Sequence, residues 1–237
     1  MSDATFAAPP IPPAWPMYRA LVGIGVLCGL LIVSAFVYTL PIIQKNRAEA
    51  LQAAIFRVVP GAKQTQTYKA GPDGRFSALA KGDKAADVVH AAFDEQGKLV
   101  GVALEASGMG YQDTVFTLVG YAPAKDAIVG MEILTSRETP GIGDRAERDP
   151  GYRANFKQLD VALNADGSAL AHPIEVVKSG KKTNPWQVDT ISGATITSRA
   201  VGKMISLSAA RWVPAVHKQL EVFVPPAANP KTAKGGQ

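Results

Sequence analysis

The stretch Asp189-Thr190-Ile191-Ser192-Gly193-Ala194-Thr195-Ile196-Thr197-Ser198 carries five hydroxyl side chains and one glycine, and it opens directly onto a helical pattern. From Arg199 onward, Val201, Met204, Ile205 and Leu207 or Ser208 recur near helical spacing, so a helix with one apolar side turned to a core follows the turn. Thr197 or Ser198 is the expected N-cap, and Gly193 lets the backbone approach a neighbour closely. A helix N-terminus has free N–H groups and the positive end of a dipole, so a phosphate set there finds donors without a lysine cluster. The same residues also fit an ordinary helix cap that binds nothing.

Working outward, strands are expected at Val88 to Phe93, Leu99 to Glu105, Thr114 to Tyr121 and Ala127 to Leu134, joined mostly by short polar or Gly-containing turns. Such short connections imply antiparallel pairing, and with the late helix they predict an α+β domain over residues 63–224. Gln44 to Val59 reads as an amphipathic connecting helix within 41–62, with Ala48, Leu51, Ile55 and Val58 or Val59 on one face and Pro60-Gly61 ending it. Ala20 to Leu40 is uncharged and apolar, long enough at about 1.5 Å per residue for a hydrocarbon core near 30 Å. It reads as a transmembrane helix, since a signal peptide has a shorter apolar region and a more basic start. Residues 1–19 form a Pro-rich leader expected to be non-helical, and residues 225–237 a disordered Pro-, Ala-, Lys- and Gly-rich tail.

Composition excludes several chemistries. Cys28 is the only cysteine and lies in the apolar helix, which rules out a disulfide, a Cys-ligated zinc site or an iron–sulfur cluster in the following domain. His90, His172 and His217 lack metal-ligand spacing and read as surface or capping residues. Neither a Gly-x-Ser-x-Gly elbow nor a Gly-x-Gly-x-x-Gly turn is present. The net charge of +5 is spread along the chain, which argues against a nucleic-acid surface. No catalytic residue and no metal site is expected.

Two segments carry a family resemblance. Asp189 to Thr195 resembles the flavinylation signature of the FMN-binding domain family: an Asp, two variable residues, a Ser or Thr, then Gly-Ala-Thr. Glu138-Thr139-Pro140-Gly141-Ile142-Gly143 resembles the family's Glu-Thr-Pro-Gly-Leu-Gly segment, with Ile142 for Leu. Alone, that segment is equally a plain turn after a strand. Gly108-Met109-Gly110-Tyr111 is similar to a family glycine-tyrosine loop, although an inter-strand turn accounts for it. The family includes the G subunit of Rnf-type ion-translocating ferredoxin:NAD oxidoreductases and the C subunit of sodium-translocating NADH:quinone reductases.

The resemblance implies one FMN joined by a phosphoester to Thr195, with Ser192, Gly193, Ala194 and Thr197 holding the phosphate. It implies that Thr139, Pro140, Gly141, Ile142 and Gly143 line the flavin. Asp189 is the family residue associated with recognition by a flavin transferase; capping its own loop through backbone N–H groups is the competing role. Lys181, Lys182 and Trp186 lie just upstream, the lysines expected in solvent. The implied function is an electron-carrying subunit of a membrane-bound, Rnf-like complex, working with membrane, iron–sulfur or flavin subunits. The implied location is the bacterial inner membrane with the FMN domain in the periplasm. Counting Arg19 against Lys45 and Arg47 favours the opposite orientation; the resemblance outweighs that count. The quinone reductase C subunit, a cofactor-free membrane scaffold and a flavoenzyme with loosely held FMN remain as alternatives.

Overall fold

The computed structural model describes residues 14–79, 85 and 87–225. Its first element, α1 (Trp15–Val58), is a helix of 44 residues, about 66 Å long at 1.5 Å per residue. Among the described residues it is the one helix long and apolar enough to cross a membrane. Two expectations change. Segments 20–40 and 41–62 are not separate helices, because α1 runs through Pro41; proline removes one backbone donor but does not oblige a helix to stop. The helix also takes in Trp15–Arg19 of the leader. Pro16 lies in the first turn, where a missing N–H breaks no helical bond. Leader residues 1–13 and tail residues 226–237 lie outside the described residues.

The chain divides into two compact units between Glu49 and Ala50. In the first, large apolar side chains from Leu21 to Tyr38 are exposed. A helix that is apolar all round and unburied by protein is suited to lipid.

In the second unit, β1 (Gln64–Ala70), β2 (Phe76–Ala78), β3 (Val88–Phe93), β4 (Leu99–Met109), β5 (Thr114–Ala122), β6 (Ala127–Thr135) and β7 (Leu159–Asp160) form one sheet. Their order is β2-β1-β3-β4-β5-β6-β7, with every neighbouring pair antiparallel. The four expected strands are present, three of them longer at the C-terminal end. Two short helices, α2 (Arg145–Arg148) and α3 (Pro150–Ala154), follow β6. A parallel pair, β8 (Glu175–Val177) and β9 (Gln187–Asp189), leads into α4 (Thr195–His217).

The sheet is covered on both faces. The last turn of α1 and the residue after it place Ala54, Ile55, Val58 and Val59 against Ala92, Ala103 and Leu118. This contact depends on the paired Gly120 and Gly130. A Cβ on Gly130 would lie 2.6 Å from the Val58 carbonyl oxygen, and one on Gly120 would overlap that same carbonyl. On the other face, Val201, Ile205, Ala209 and Val213 of α4 join Val102, Leu104, Val119 and Tyr121 in the main core. The Ser208 hydroxyl donates to the Glu105 carbonyl at 2.8 Å, tying α4 to β4.

Of the three histidines, His172 and His217 are exposed as expected, and the reading changes for His90 alone. His90 is buried in β3, with Nδ1 3.0 Å from Thr67 Oγ1 and Nε2 3.1 Å from Glu105 Oε1. Strands on both sides cover it and supply its partners. His172 stacks on Trp186 with ring centroids 3.9 Å apart.

Candidate functional site

β9 ends at Asp189 and delivers the chain into a turn that α4 leaves at Thr195. Gly193 sits at φ +84°, a left-handed conformation that favours glycine. Helix α4 begins two to three residues before the expected caps. Ala194 takes the N-cap position and no side chain caps the helix. Ser198 reaches back instead: its Oγ accepts from the Ile191 N–H at 3.1 Å and donates to the Ala194 carbonyl at 2.8 Å. Tyr152 adds an OH bond of 2.7 Å to the Ser198 carbonyl, and burial pushes its phenol above the usual value. The turn is thus held from inside the helix, leaving the first N–H groups of α4 without a side-chain acceptor.

A cavity of about 330 Å³ opens at this helix start, lined by Tyr111, Ile142, Gly193, Ala194, Thr195, Ile196 and Thr197. Tyr111 and Ile142 are 56% and 47% exposed, so an apolar and an aromatic wall stand open beside Thr195. Thr195 is half-buried, and its hydroxyl donates to the Ile191 carbonyl at 3.1 Å. No charged side chain lines this cavity.

The loop after β6 shapes one wall. Ile142 and Gly143 both donate N–H to the Thr139 carbonyl at 3.1 Å, and Asp144 Oδ1 accepts the Gly141 N–H at 2.6 Å. The result is a tight turn that lifts Ile142 toward the cavity. Thr139, Pro140, Gly141 and Gly143 do not line it. The two glycines serve different ends: Gly141 supplies a φ of +80°, while Gly143 is buried against Glu138.

Glu138 is the residue that sequence reasoning missed as a site group. It is only 7% exposed. Its Oε1 accepts the N–H groups of Gln112 at 3.0 Å and Asp113 at 3.3 Å. Its Oε2 accepts the Tyr111 N–H at 3.2 Å and the Thr197 hydroxyl at 2.6 Å. Burial pushes this carboxyl up, but the Thr197 hydroxyl and the three backbone donors outweigh it and hold it below the usual carboxylate range. Thr197, expected to hold phosphate, has thus committed its hydroxyl to Glu138. A Cβ on Gly110 or Gly143 would collide with the Glu138 side chain.

Asp189 and Ser192 belong to a second, polar cleft lined also by Arg145, Asp149, Asn155, Ser179 and Ile191. Asp189 Oδ1 accepts the N–H groups of both Lys181 and Lys182 at 3.0 Å, so it does cap its neighbouring loop. Arg145 Nη1 donates to the Ser192 carbonyl at 2.7 Å. Lys182 is half-buried rather than in solvent. Burial pushes its ammonium below the usual value, opposed by the Asp189 charge, and its Nζ lies 3.4 Å from Asn155 Oδ1.

Comparison with known proteins bears on this geometry. Residues 110–209 match the FMN-binding domain family. The G subunit of the ion-translocating oxidoreductase complex of Cereibacter sphaeroides is 31% identical over 216 residues, covering 85% of this chain and 88% of that protein. The G subunit of the proton-translocating ferredoxin:NAD(+) oxidoreductase complex of Clostridium ljungdahlii is 31% identical over 106 residues, covering 45% of this chain and 50% of the relative. The crystal structure of Shewanella oneidensis NqrC superposes with a TM-score of 0.57 at 20% identity, covering 74% of this chain and all of that one, which shows a shared fold. The matched FMN-binding region contains every wall of the Thr195 cavity, and the Cereibacter protein aligns along most of both chains; this chain therefore belongs to the family of ion-translocating oxidoreductase complex G subunits.

Proposed function

We propose that this chain is a membrane-anchored electron carrier within an ion-translocating oxidoreductase complex, and that it holds one FMN through a phosphoester on Thr195 Oγ1. The observation that carries the reading is Thr195 in the first turn of an uncapped helix, its hydroxyl beside a cavity with open tyrosine and isoleucine walls. The residues fit such a group. First-turn N–H groups and Gly193 suit a phosphate, and Tyr111, Ile142 and Ile196 suit a planar apolar ring. Bound FMN would supply reversible electron storage, which no described side chain offers.

The chain's own residues do the rest. In attachment the Thr195 Oγ1–P bond would form as the P–O–P bond of a flavin dinucleotide donor breaks, with the nucleoside monophosphate leaving and the hydroxyl proton passing to solvent. The bond to the Ile191 carbonyl would be given up, while Ser198 and Tyr152 still hold the turn. Asp189 and the cleft around it form the face offered to a flavin transferase, where a carboxylate can orient a divalent cation near the donor's phosphates. α1 anchors the chain in the inner membrane, with the flavin domain on the periplasmic side. Other membrane, iron–sulfur or flavin subunits serve as donor and acceptor. The C subunit of a sodium-translocating NADH:quinone reductase shares the fold, but the long alignment with the Cereibacter protein favours the first assignment.

The test is to co-produce the full chain with a flavin transferase, denature it and run it on a gel. Flavin fluorescence migrating with the polypeptide, and absorbance bleached by dithionite and restored by air in the native sample, are expected. Colourless protein, or flavin released by denaturation, would overturn the proposal.

A further inference from the structure

The cavity beside Thr195 is assembled from three segments distant in sequence. The turn between β4 and β5 supplies Tyr111, the loop after β6 supplies Ile142, and the start of α4 supplies Thr195 and Ile196. The other ties lie on the exposed side: Thr139 Oγ1 donates to Gln112 Oε1 at 2.7 Å, Arg137 pairs with Asp113 at 3.8 Å, and Arg145 just beyond the loop donates to the Ser192 carbonyl at 2.7 Å. The buried tie is a single carboxylate. Glu138 belongs to the loop, binds three successive N–H groups of the turn and accepts the Thr197 hydroxyl of α4. Gly110 and Gly143 leave it the space.

We propose that Glu138 is a positioning residue for the flavin ring: its carboxylate knots the three walls of the cavity together and thereby fixes Tyr111 and Ile142 against a ring tethered at Thr195. This inference rests on the FMN assignment. It makes no contact claim between Glu138 and the flavin; Glu138 acts through the walls.

The donor arrangement gives a sharp expectation for Glu138→Gln, which keeps the shape but turns one acceptor into a donor. The new amide nitrogen is best placed at the Oε2 position, because the Thr197 hydroxyl can rotate to accept from it. The Tyr111 N–H then faces another donor, while the Gln112 and Asp113 N–H groups keep their acceptor. Glu138→Ala removes the acceptor from all three.

The test is amide hydrogen exchange on the full-length chain in detergent or nanodiscs, read beside flavin anisotropy and iodide quenching on the FMN-bearing fraction. In Glu138→Gln the Tyr111 amide should exchange about tenfold faster or more, with Gln112 and Asp113 little changed; in Glu138→Ala all three should accelerate by at least that factor. Amides of β3 to β6 should keep their protection, anisotropy should fall, and quenching should rise from wild type through Gln to Ala. If Glu138→Gln matches wild type in Tyr111 exchange and ring mobility, the carboxylate only fills space and the proposal fails. Loss of protection spread evenly over the sheet in Glu138→Ala would also sink it. Should Thr195 of the wild type carry no flavin, the FMN assignment fails by itself, and exchange on the apo chain still decides whether Glu138 knots the walls.

Discussion

Two cavities meet at Ser192-Gly193. One, beside Thr195, is walled by Tyr111, Ile142 and Ile196 and contains no charge; the other, beside Asp189, is lined by Arg145, Asp149, Asn155 and Ser179 and carries both signs. A short run of sequence thus borders two chemically different surfaces. An apolar, uncharged wall holds a planar ring by packing. A mixed-charge cleft suits transient handling by another protein, where electrostatics governs encounter more than affinity. On this view, substitutions in the polar cleft change whether FMN is attached, and those in the apolar cavity change how the attached ring behaves.

The largest effect is expected at the attachment point itself. Thr195→Ala should abolish covalent FMN entirely while costing about 1 kcal/mol or less in folding stability, since only the bond to the Ile191 carbonyl is lost. Chemical denaturation beside flavin absorbance checks both halves. Next comes Glu138→Ala, expected to cost about 3 kcal/mol because four donors lose a buried acceptor. The pH dependence has a definite sign. The folded carboxyl lies below its unfolded value of 4.5, so the stability Glu138 contributes is fully present above that pH and lost as pH falls through the folded value. The gap in stability between wild type and Glu138→Gln should therefore narrow on acidification below 4.5; a gap that widens would contradict the hydrogen-bond account.

Smaller effects separate the cavities. Asp189→Asn weakens two N–H bonds and should cost about 1–2 kcal/mol. It should also slow FMN attachment in a timed reaction with the transferase, without changing iodide quenching of the flavin that is attached. Ile142→Ala, at an exposed position, should alter stability by only about 0.5 kcal/mol. It should leave attachment rate unchanged and raise quenching. If the two variants had the same profile, the division of labour between the cavities would be wrong.

Much of the domain is legible from residues alone, and the failures have physical causes. β3 to β6 announce themselves because each is bounded by turn residues and buries a run of apolar side chains. β1, Gln64–Ala70, escapes because Tyr68 is its only buried residue, and β7 to β9 are too short to show a period. Local chemistry misplaces the start of α4 because Thr197 and Ser198 look like caps, yet their hydroxyls serve Glu138 and the preceding turn. Thr195 stands out through its resemblance to the family signature; Glu138 heads the second family-like segment, yet its role is not legible there, because its donors come from two other segments and meet it only in the folded chain. Polar cleft residues such as Arg145 and Asn155 come from the short helices α2 and α3 or their ends, and they meet Asp189 only in the folded chain.

The most direct test of the account is peptide mass spectrometry of the full chain co-produced with a flavin transferase, run beside Thr195→Ala. The account predicts an FMN phosphoester increment on the peptide containing Thr195 and none in the variant. An unmodified Thr195 peptide in the wild type, or the increment on another residue, would contradict it.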